Sequence, residues 1–312
     1  KLDGNYPVGT GNVALGDVAL SNGSLSGGGN TAIGSYNLNS NTTGVSNSAF
    51  GYGPMGYNTS GSYNTALGSD TLKYNTTASY NTAVGYQAGY SNTTGDNLTS
   101  VGTTAGYSNT TGRFNTNLGK NAGYSNQTGA NNTTVGNGTG YANTADSLTA
   151  IGSNAANANT SGANNVAVGK EALTRNTTGA SIVAVGKDAL AYNTTASNNT
   201  AVGYQAGYSN TTGTEMVSVG KGAMYSNTTG NYNTAVGYQT MRYNTTGSDN
   251  TAYGDEALRS NTSGDKNTVS GNIALYANTT GSNNVAFGMQ ALRYNTTASS
   301  NTAVGYQAGY ST

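Results

Sequence analysis

Small apolar residues recur along this chain in a short triplet that ends at glycine. Thr82-Ala83-Val84-Gly85, Val166-Ala167-Val168-Gly169 and Thr200-Ala201-Val202-Gly203 are three copies. The glycine returns at Gly16, Gly34, Gly51, Gly68, Gly85, Gly102, Gly119, Gly136, Gly152, Gly169, Gly186, Gly203, Gly220, Gly237, Gly254, Gly271, Gly288 and Gly305. Its spacing is 17 residues in fifteen of seventeen intervals, 18 once at the start and 16 once between Gly136 and Gly152. Seventeen residues are too few for a helix–turn–helix unit, which needs more than about thirty. They suit one coil of an all-β β-solenoid, a parallel β-roll or β-helix, with two short strands per coil. Adjacent coils would lie about 4.8 Å apart, and eighteen of them would make a rod on the order of 85 Å long. The expected organisation is a single continuous repeat domain over residues 1–312, a window on a longer or processed polypeptide that begins at Lys1 and stops inside a repeat at Thr312.

Positions counted from the glycine, taken as 0, become columns of stacked side chains. Position −1 is apolar or aromatic in seventeen of eighteen turns, Ser270 being the exception, and −3 is Thr or Val in seventeen, Ser48 being the exception. Side chains two apart share a strand face, and β-branched residues suit a pleated surface, so −3 and −1 are expected to form the core wall. Position −2 would then face outward. It is Ala in thirteen turns, including Ala83, Ala150, Ala167, Ala184, Ala201, Ala235 and Ala303. Either a small residue is simply economical there, or the stripe is a self-association face, since continuous apolar patches mark interfaces. Position −4 is Asn in fourteen turns and otherwise Leu98, Leu148, Ile182 or Met216. Such large apolar replacements point to a partly buried Asn ladder. The invariant glycine is expected to permit a bend that a Cβ would block. At +4 stands Leu, Met, Gly or, once, Ala. Tyr follows at once when +4 is Gly, and often moves to +6 when it is Leu or Met.

An Asn-x-Ser/Thr triplet occupies position +7 in fifteen turns, starting at Asn41, Asn58, Asn75, Asn92, Asn109, Asn126, Asn159, Asn176, Asn193, Asn210, Asn227, Asn244, Asn261, Asn278 and Asn295. Asn143 keeps the Asn but lacks the hydroxyl residue two places on. The triplet is formally an N-glycosylation acceptor, and a turn built on Asn, Thr and Gly would use the same residues. Both readings stand at this point: a tight turn, or a column of covalent glycans.

Composition narrows the chemistry. The 312 residues contain 47 Gly, 24 Tyr, no Cys, no His and no Trp, and only 8% are charged. Twelve basic and twelve acidic residues balance to zero, with no basic run to neutralise phosphates, so nucleic acid is not an expected partner. No stretch of eighteen apolar residues could span a membrane. Without His or Cys there is no Ser-His-Asp triad and no thiol nucleophile. The carboxylates, among them Asp70, Asp96, Glu171, Asp188 and Glu256, fall in different columns, so no catalytic, metal or cofactor site is expected. Gly27-Gly28-Gly29 lacks the Lys-Ser/Thr of a phosphate loop and lies in the one coil with an extra residue, where a bulge accounts for it.

The turn Asn81-Thr82-Ala83-Val84-Gly85-Tyr86-Gln87-Ala88 resembles the head repeat of trimeric autotransporter adhesins and the similar arrays of phage tail-fibre-like surface proteins. The likeness runs from Gly11 to Tyr310. It implies a left-handed parallel β-roll, three chains packed into one head, and a cell- or virion-surface location. This chain departs from the adhesin head by a longer coil with an inserted Asn-Thr-Thr-Gly. The expected function is therefore structural: the shaft of an extracellular fibre or filament, a homotrimer or homopolymer, glycan-coated if the triplets are used. An adhesin or phage receptor-binding fibre is the alternative. An ice-binding solenoid is more remote, because it needs an outward Thr lattice, whereas here Thr at −3 is expected to face inward.

Overall fold

The computed structural model describes residues 10–310. Eighteen parallel strands of three residues each, β1 (Val13–Leu15) to β18 (Thr302–Val304), stack as a β-solenoid of about 17 residues per turn. No helix occurs among the described residues. Each coil carries one strand, at −3 to −1, and not two; the remainder is a run of hydrogen-bonded turns. The described residues group into two compact units that divide between Asn154 and Ala155. In the first, β1 to β9 (Thr149–Ile151) pair in sequence order; in the second, β10 (Val166–Val168) to β18 do the same. The strands pair at equivalent positions, as in Thr82 with Thr99, Ala83 with Ser100 and Val84 with Val101.

Backbone hydrogen bonding between coils continues through the turns. Position −3 donates to the next coil's −4 carbonyl, as Thr99 N to Asn115 O at 2.8 Å. Position 0 donates the other way, as Gly85 N to Leu67 O at 2.8 Å. Positions +4 and +6 donate forward again, as Leu72 N to Ala88 O at 3.0 Å and Tyr74 N to Tyr90 O at 3.1 Å. Buried backbone groups must be paired, and the direction of donation alternates wherever the chain turns. The turns are made by residues in the left-handed region at −5, +2 and +4. Asn198 (φ 61°), Asp188 (φ 58°) and Leu190 (φ 47°) show them. Each costs about 1 kcal/mol or more for a non-glycine residue. At +4 the cost is offset by burial, since Leu38, Leu72, Leu173, Leu190 and Leu258 are fully buried.

The core overturns the expected strand phase. The middle residue of the strand is inside: Ala83, Ala150, Ala167, Ala184, Ala201 and Ala235 are 0% exposed and Ala303 is 8% exposed. The flanking −3 and −1 side chains face outward and are half-buried to exposed, Val202 at 37% and Val304 at 68%. The Ala stripe is thus the coil's own interior and cannot be a self-association face. The physical reason is room. The space opposite −2 is filled by the +4 side chain of the same coil; a Cβ built on Gly207 would lie 3.9 Å from the Ala201 Cβ. With Leu or Met at +4, only a small residue fits across from it, as close packing requires. Ala at +3, fully buried in Ala88, Ala172 and Ala206, completes this thin core.

Where +4 is Gly, neighbouring side chains supply the missing volume. A Cβ on Gly89 would meet Leu72 Cδ2 at 2.9 Å and Leu98 Cδ2 at 3.2 Å. One on Gly140 would meet Leu148 Cδ2 at 3.2 Å. Leu98 and Leu148, two of the apolar residues that interrupt the −4 Asn column, thus fill space left by glycine. In the coils of Gly106, Gly123 and Gly140 the filler is polar. Ser100, Asn117 and Thr134 replace Ala at −2 and are buried. They satisfy one another: Asn117 Nδ2 donates to Ser100 Oγ at 3.4 Å, and Thr134 Oγ1 donates to Asn117 Oδ1 at 2.8 Å.

Candidate functional site: the outward columns

The Asn-x-Ser/Thr column does not present glycan acceptors. Asn41, Asn58, Asn75, Asn92, Asn109, Asn126, Asn159, Asn176, Asn193, Asn210, Asn227, Asn244, Asn261, Asn278 and Asn295 are all buried, none more than 3% exposed. The side-chain nitrogen that a glycan would occupy is committed to hydrogen bonds. Asn210 Nδ2 donates to Asn193 Oδ1 at 2.9 Å and to Gly213 O at 2.9 Å, while its own Oδ1 accepts from Asn227 Nδ2 at 3.0 Å. In the second unit this ladder links the rungs from Asn159 to Asn295. A glycan there would break the ladder and find no space. The second residue of the triplet also serves the stack, since Thr211 Oγ1 donates to Thr228 O at 2.9 Å. The third residue, such as Thr77 or Thr94, is exposed.

The −4 Asn column forms a second ladder, as its burial pattern led us to expect. Asn267 Nδ2 donates to Asn250 Oδ1 at 3.0 Å and to Gly281 O at 3.0 Å. Where Leu98, Ile182 or Met216 interrupts it, the backbone N–H at that position still donates to the preceding Asn Oδ1, at 2.7, 3.0 and 3.0 Å respectively.

Removing one rung is expected to be costly. Asn210→Ala strips partners from Asn193, Gly213 and Asn227 inside the buried core. A buried polar group left unpaired costs about 1–3 kcal/mol, so the variant should lose about 3 kcal/mol in chemical denaturation. Amide exchange should rise in the coils around Thr194 and Thr211. Unchanged stability would show that the ladder is not buried.

Three sets of residues face solvent. The first is the strand pair. Thr65, Thr82 and Thr99 at −3 are exposed, and Leu67, Leu118 and Ile151 at −1 are 40–49% exposed. The Thr column is therefore outward, contrary to the premise that weighed against ice binding. It is not a uniform lattice, because Val166, Val183, Val217 and Val285 interrupt it and Phe50, Tyr253 and Phe287 stand beside it. The second set is a tyrosine ladder at +5 and +6. Rings of Tyr90, Tyr107, Tyr124 and Tyr141 stack at 4.9–5.1 Å with 3–4° between planes. Where Tyr shifts from +6 to +5 the rings meet edge-on, as Tyr74 with Tyr90 at 5.1 Å and Tyr192 with Tyr208 at 4.9 Å. The two placements thus share one outward column. A hydrogen bond with Tyr74, then partial burial, pushes the Tyr90 phenol up to about 12; Tyr192 does the same for Tyr208. The third set is cationic. Arg175 lies 3.9 Å from the Tyr192 ring centroid, and Arg259 sits between Tyr243 and Tyr276 at 5.0 and 5.5 Å. No protein-family model matches this chain, and no curated protein matches it.

Proposed function

We propose that this chain is a structural repeat protein, the body of an extracellular fibre, whose copies associate side by side through the outward −3 and −1 columns. The observation that supports this reading most is the exposed apolar column at −1. It recurs coil after coil on a sheet whose interior is already filled, and Leu67, Leu118, Ile151, Val202 and Phe287 lie in it. Soluble monomers seldom expose so much continuous apolar surface. A three-residue strand is roughly 10 Å long and strands are about 4.8 Å apart, so the nine strands of each unit offer on the order of 430 Å², about half of the roughly 800 Å² that a standard interface takes from each partner. A second copy of the chain suits this surface because the net charge is zero and the columns repeat with its own spacing. The surface location follows the resemblance to adhesin heads and tail-fibre arrays.

The test uses three successive −1 positions. Val185, Val202 and Val219 are neighbours in register. The triple variant Val185→Lys, Val202→Glu, Val219→Lys places opposite charges beside one another, which favours the stacked strands, while making the outward face polar. Light scattering and electron microscopy of the parent should show oligomers or filaments. The triple variant should be monomeric, with an unchanged β circular-dichroism spectrum. A monomeric parent, or a variant that assembles like the parent, would contradict the proposal.

A further inference from the structure

A local break in the repeat makes a cavity. In the coil Gly51-Tyr52-Gly53-Pro54-Met55-Gly56-Tyr57, positions +2 and +5 are both Gly, and Gly56 is the single glycine at +5 in all eighteen coils. Elsewhere +5 carries Asn39, Lys73, Tyr90, Arg242 and similar side chains. The result is a hollow of about 230 Å³ lined by Tyr36, Asn39, Tyr52, Gly53, Gly56, Tyr57, Asp70 and Lys73. A Cβ on Gly53 would stand 3.2 Å from Asp70 Oδ1, and one on Gly56 would stand 3.3 Å from the Asn39 amide. Side chains at these two positions would therefore occupy the hollow.

We propose that this hollow binds one uncharged sugar ring. Ligand sites for drug-sized molecules run from about 300 Å³ upward, so this space suits a single six-membered ring. A pyranose has apolar C–H faces that pack on aromatic rings, and hydroxyls that need planar or charged partners. Both kinds of wall are present. Tyr36, Tyr52 and Tyr57 are 43–58% exposed. The Tyr36 and Tyr52 rings meet at 63° with centroids 5.5 Å apart, which makes an angled corner and not the parallel slot a flat nucleobase would want. Tyr57 is braced by stacking on Tyr74 at 5.0 Å and 7°. With the Asn39 amide oriented so that both of its atoms find partners, Nδ2 donates to Gly56 O at 2.7 Å and Tyr36 O at 3.1 Å. Asp70 Oδ1 is sealed from solvent and lies 2.9 Å from Lys73 Nζ. This pairing leaves the pocket without net charge, which favours a neutral ring, while the Lys73 side chain at 28% exposure and the Asp70 side chain at 17% keep hydrogen-bonding capacity for hydroxyls outside the sealed Oδ1.

The experiment is saturation-transfer NMR on the full chain with D-glucose, D-galactose, D-mannose, N-acetyl-D-glucosamine, N-acetylneuraminic acid and adenosine. At least one neutral sugar should bind, with Kd in the range of about 1 mM expected of a single-ring contact. Gly56→Tyr gives this coil the +5 residue of the coils at Tyr90 and Tyr107, so it should fold like the parent and weaken binding about tenfold or more. Tyr52→Ala is the second variant, in case the first misfolds, and should also weaken binding. Tyr63→Ala, in the separate exposed pair with Tyr80, should leave binding unchanged. The proposal fails if no neutral sugar binds, if only N-acetylneuraminic acid or adenosine binds, or if Gly56→Tyr and Tyr52→Ala, with parental spectra, bind like the parent.

Discussion

Replacing Ala201 with Glu should unfold the coils around it, whereas the same change at Val202 should be mild. Ala201 is fully buried, between Ala184 and Ser218 in register and opposite the +4 side chains. No basic residue lies in the core columns to pair with a carboxylate. An unpaired buried charge costs several kcal/mol, and the added volume must also be accommodated. The expected loss is on the order of 4–5 kcal/mol at neutral pH, near the upper end for single substitutions. Burial raises a carboxyl's pKa above its unfolded value. The variant's deficit should therefore be smallest below the unfolded Glu pKa of about 4.3 and should grow as pH rises through the folded value. Val202→Glu should cost less than about 1 kcal/mol, as outward substitutions do. Urea denaturation of both variants at acid and neutral pH checks the contrast.

Gly203→Ala should be nearly as damaging. Gly203 has φ +137°, a region essentially closed to residues with a Cβ. An added Cβ would sit 2.6 Å from Gly220 O and 2.7 Å from Gly220 C. Those are backbone atoms of the next coil, and they are held there by the hydrogen bond from Gly220 N to Val202 O at 2.8 Å. Neither neighbour can yield without opening the stack. Backbone incompatibility and the clash together should cost about 4 kcal/mol. Gly23→Ala is the contrasting substitution, because an added Cβ there would meet nothing within 4 Å and the backbone has no left-handed φ. Thermal melts should show a large drop for the first and a small one for the second.

The coil length, its number and the bend at the invariant glycine were legible in the spacing alone. So was burial of the −4 Asn column, because Leu98, Leu148, Ile182 and Met216 substitute for it. The strand phase was misread. Large Val and Thr at −1 and −3 suggested a core, but side chains two apart share a face, so a buried −4 already implied a buried −2. What decides the phase is the opposing Leu or Met at +4, a relation across the coil that no local pattern displays. The triplet at +7 misled in a similar way. Asn143 keeps its Asn without the hydroxyl residue, and it too is buried with its amide bonded, to Ala145 O at 3.0 Å. The coil needs the amide, and not the acceptor motif. The left-handed turns left one trace. In a chain rich in Thr and Val, no Thr, Val or Ile stands at −5 in the coils from Ser46 to Ser300, nor at +4, although Val18, Thr104 and Ile273 do stand at +2. β-branched residues suit a left-handed backbone worst. The cavity beside Gly56 could be located only once the coils were stacked, because its walls come from three successive repeats.

The most direct measurement asks which strand residue is inside. The chain has no cysteine, so one introduced thiol reports on its own site alone. Ala201→Cys and Val202→Cys should each be made in a Val185→Lys, Val219→Lys background, which keeps copies apart at the outward face. The thiol should then be labelled with a maleimide under native conditions. At position 202 the reaction should proceed near the rate of the unfolded chain. At position 201 it should wait for local unfolding and be slower by about a thousandfold or more. Equal labelling rates at 201 and 202, or faster labelling at 201, would contradict the buried Ala column and with it the assignment of the outward face.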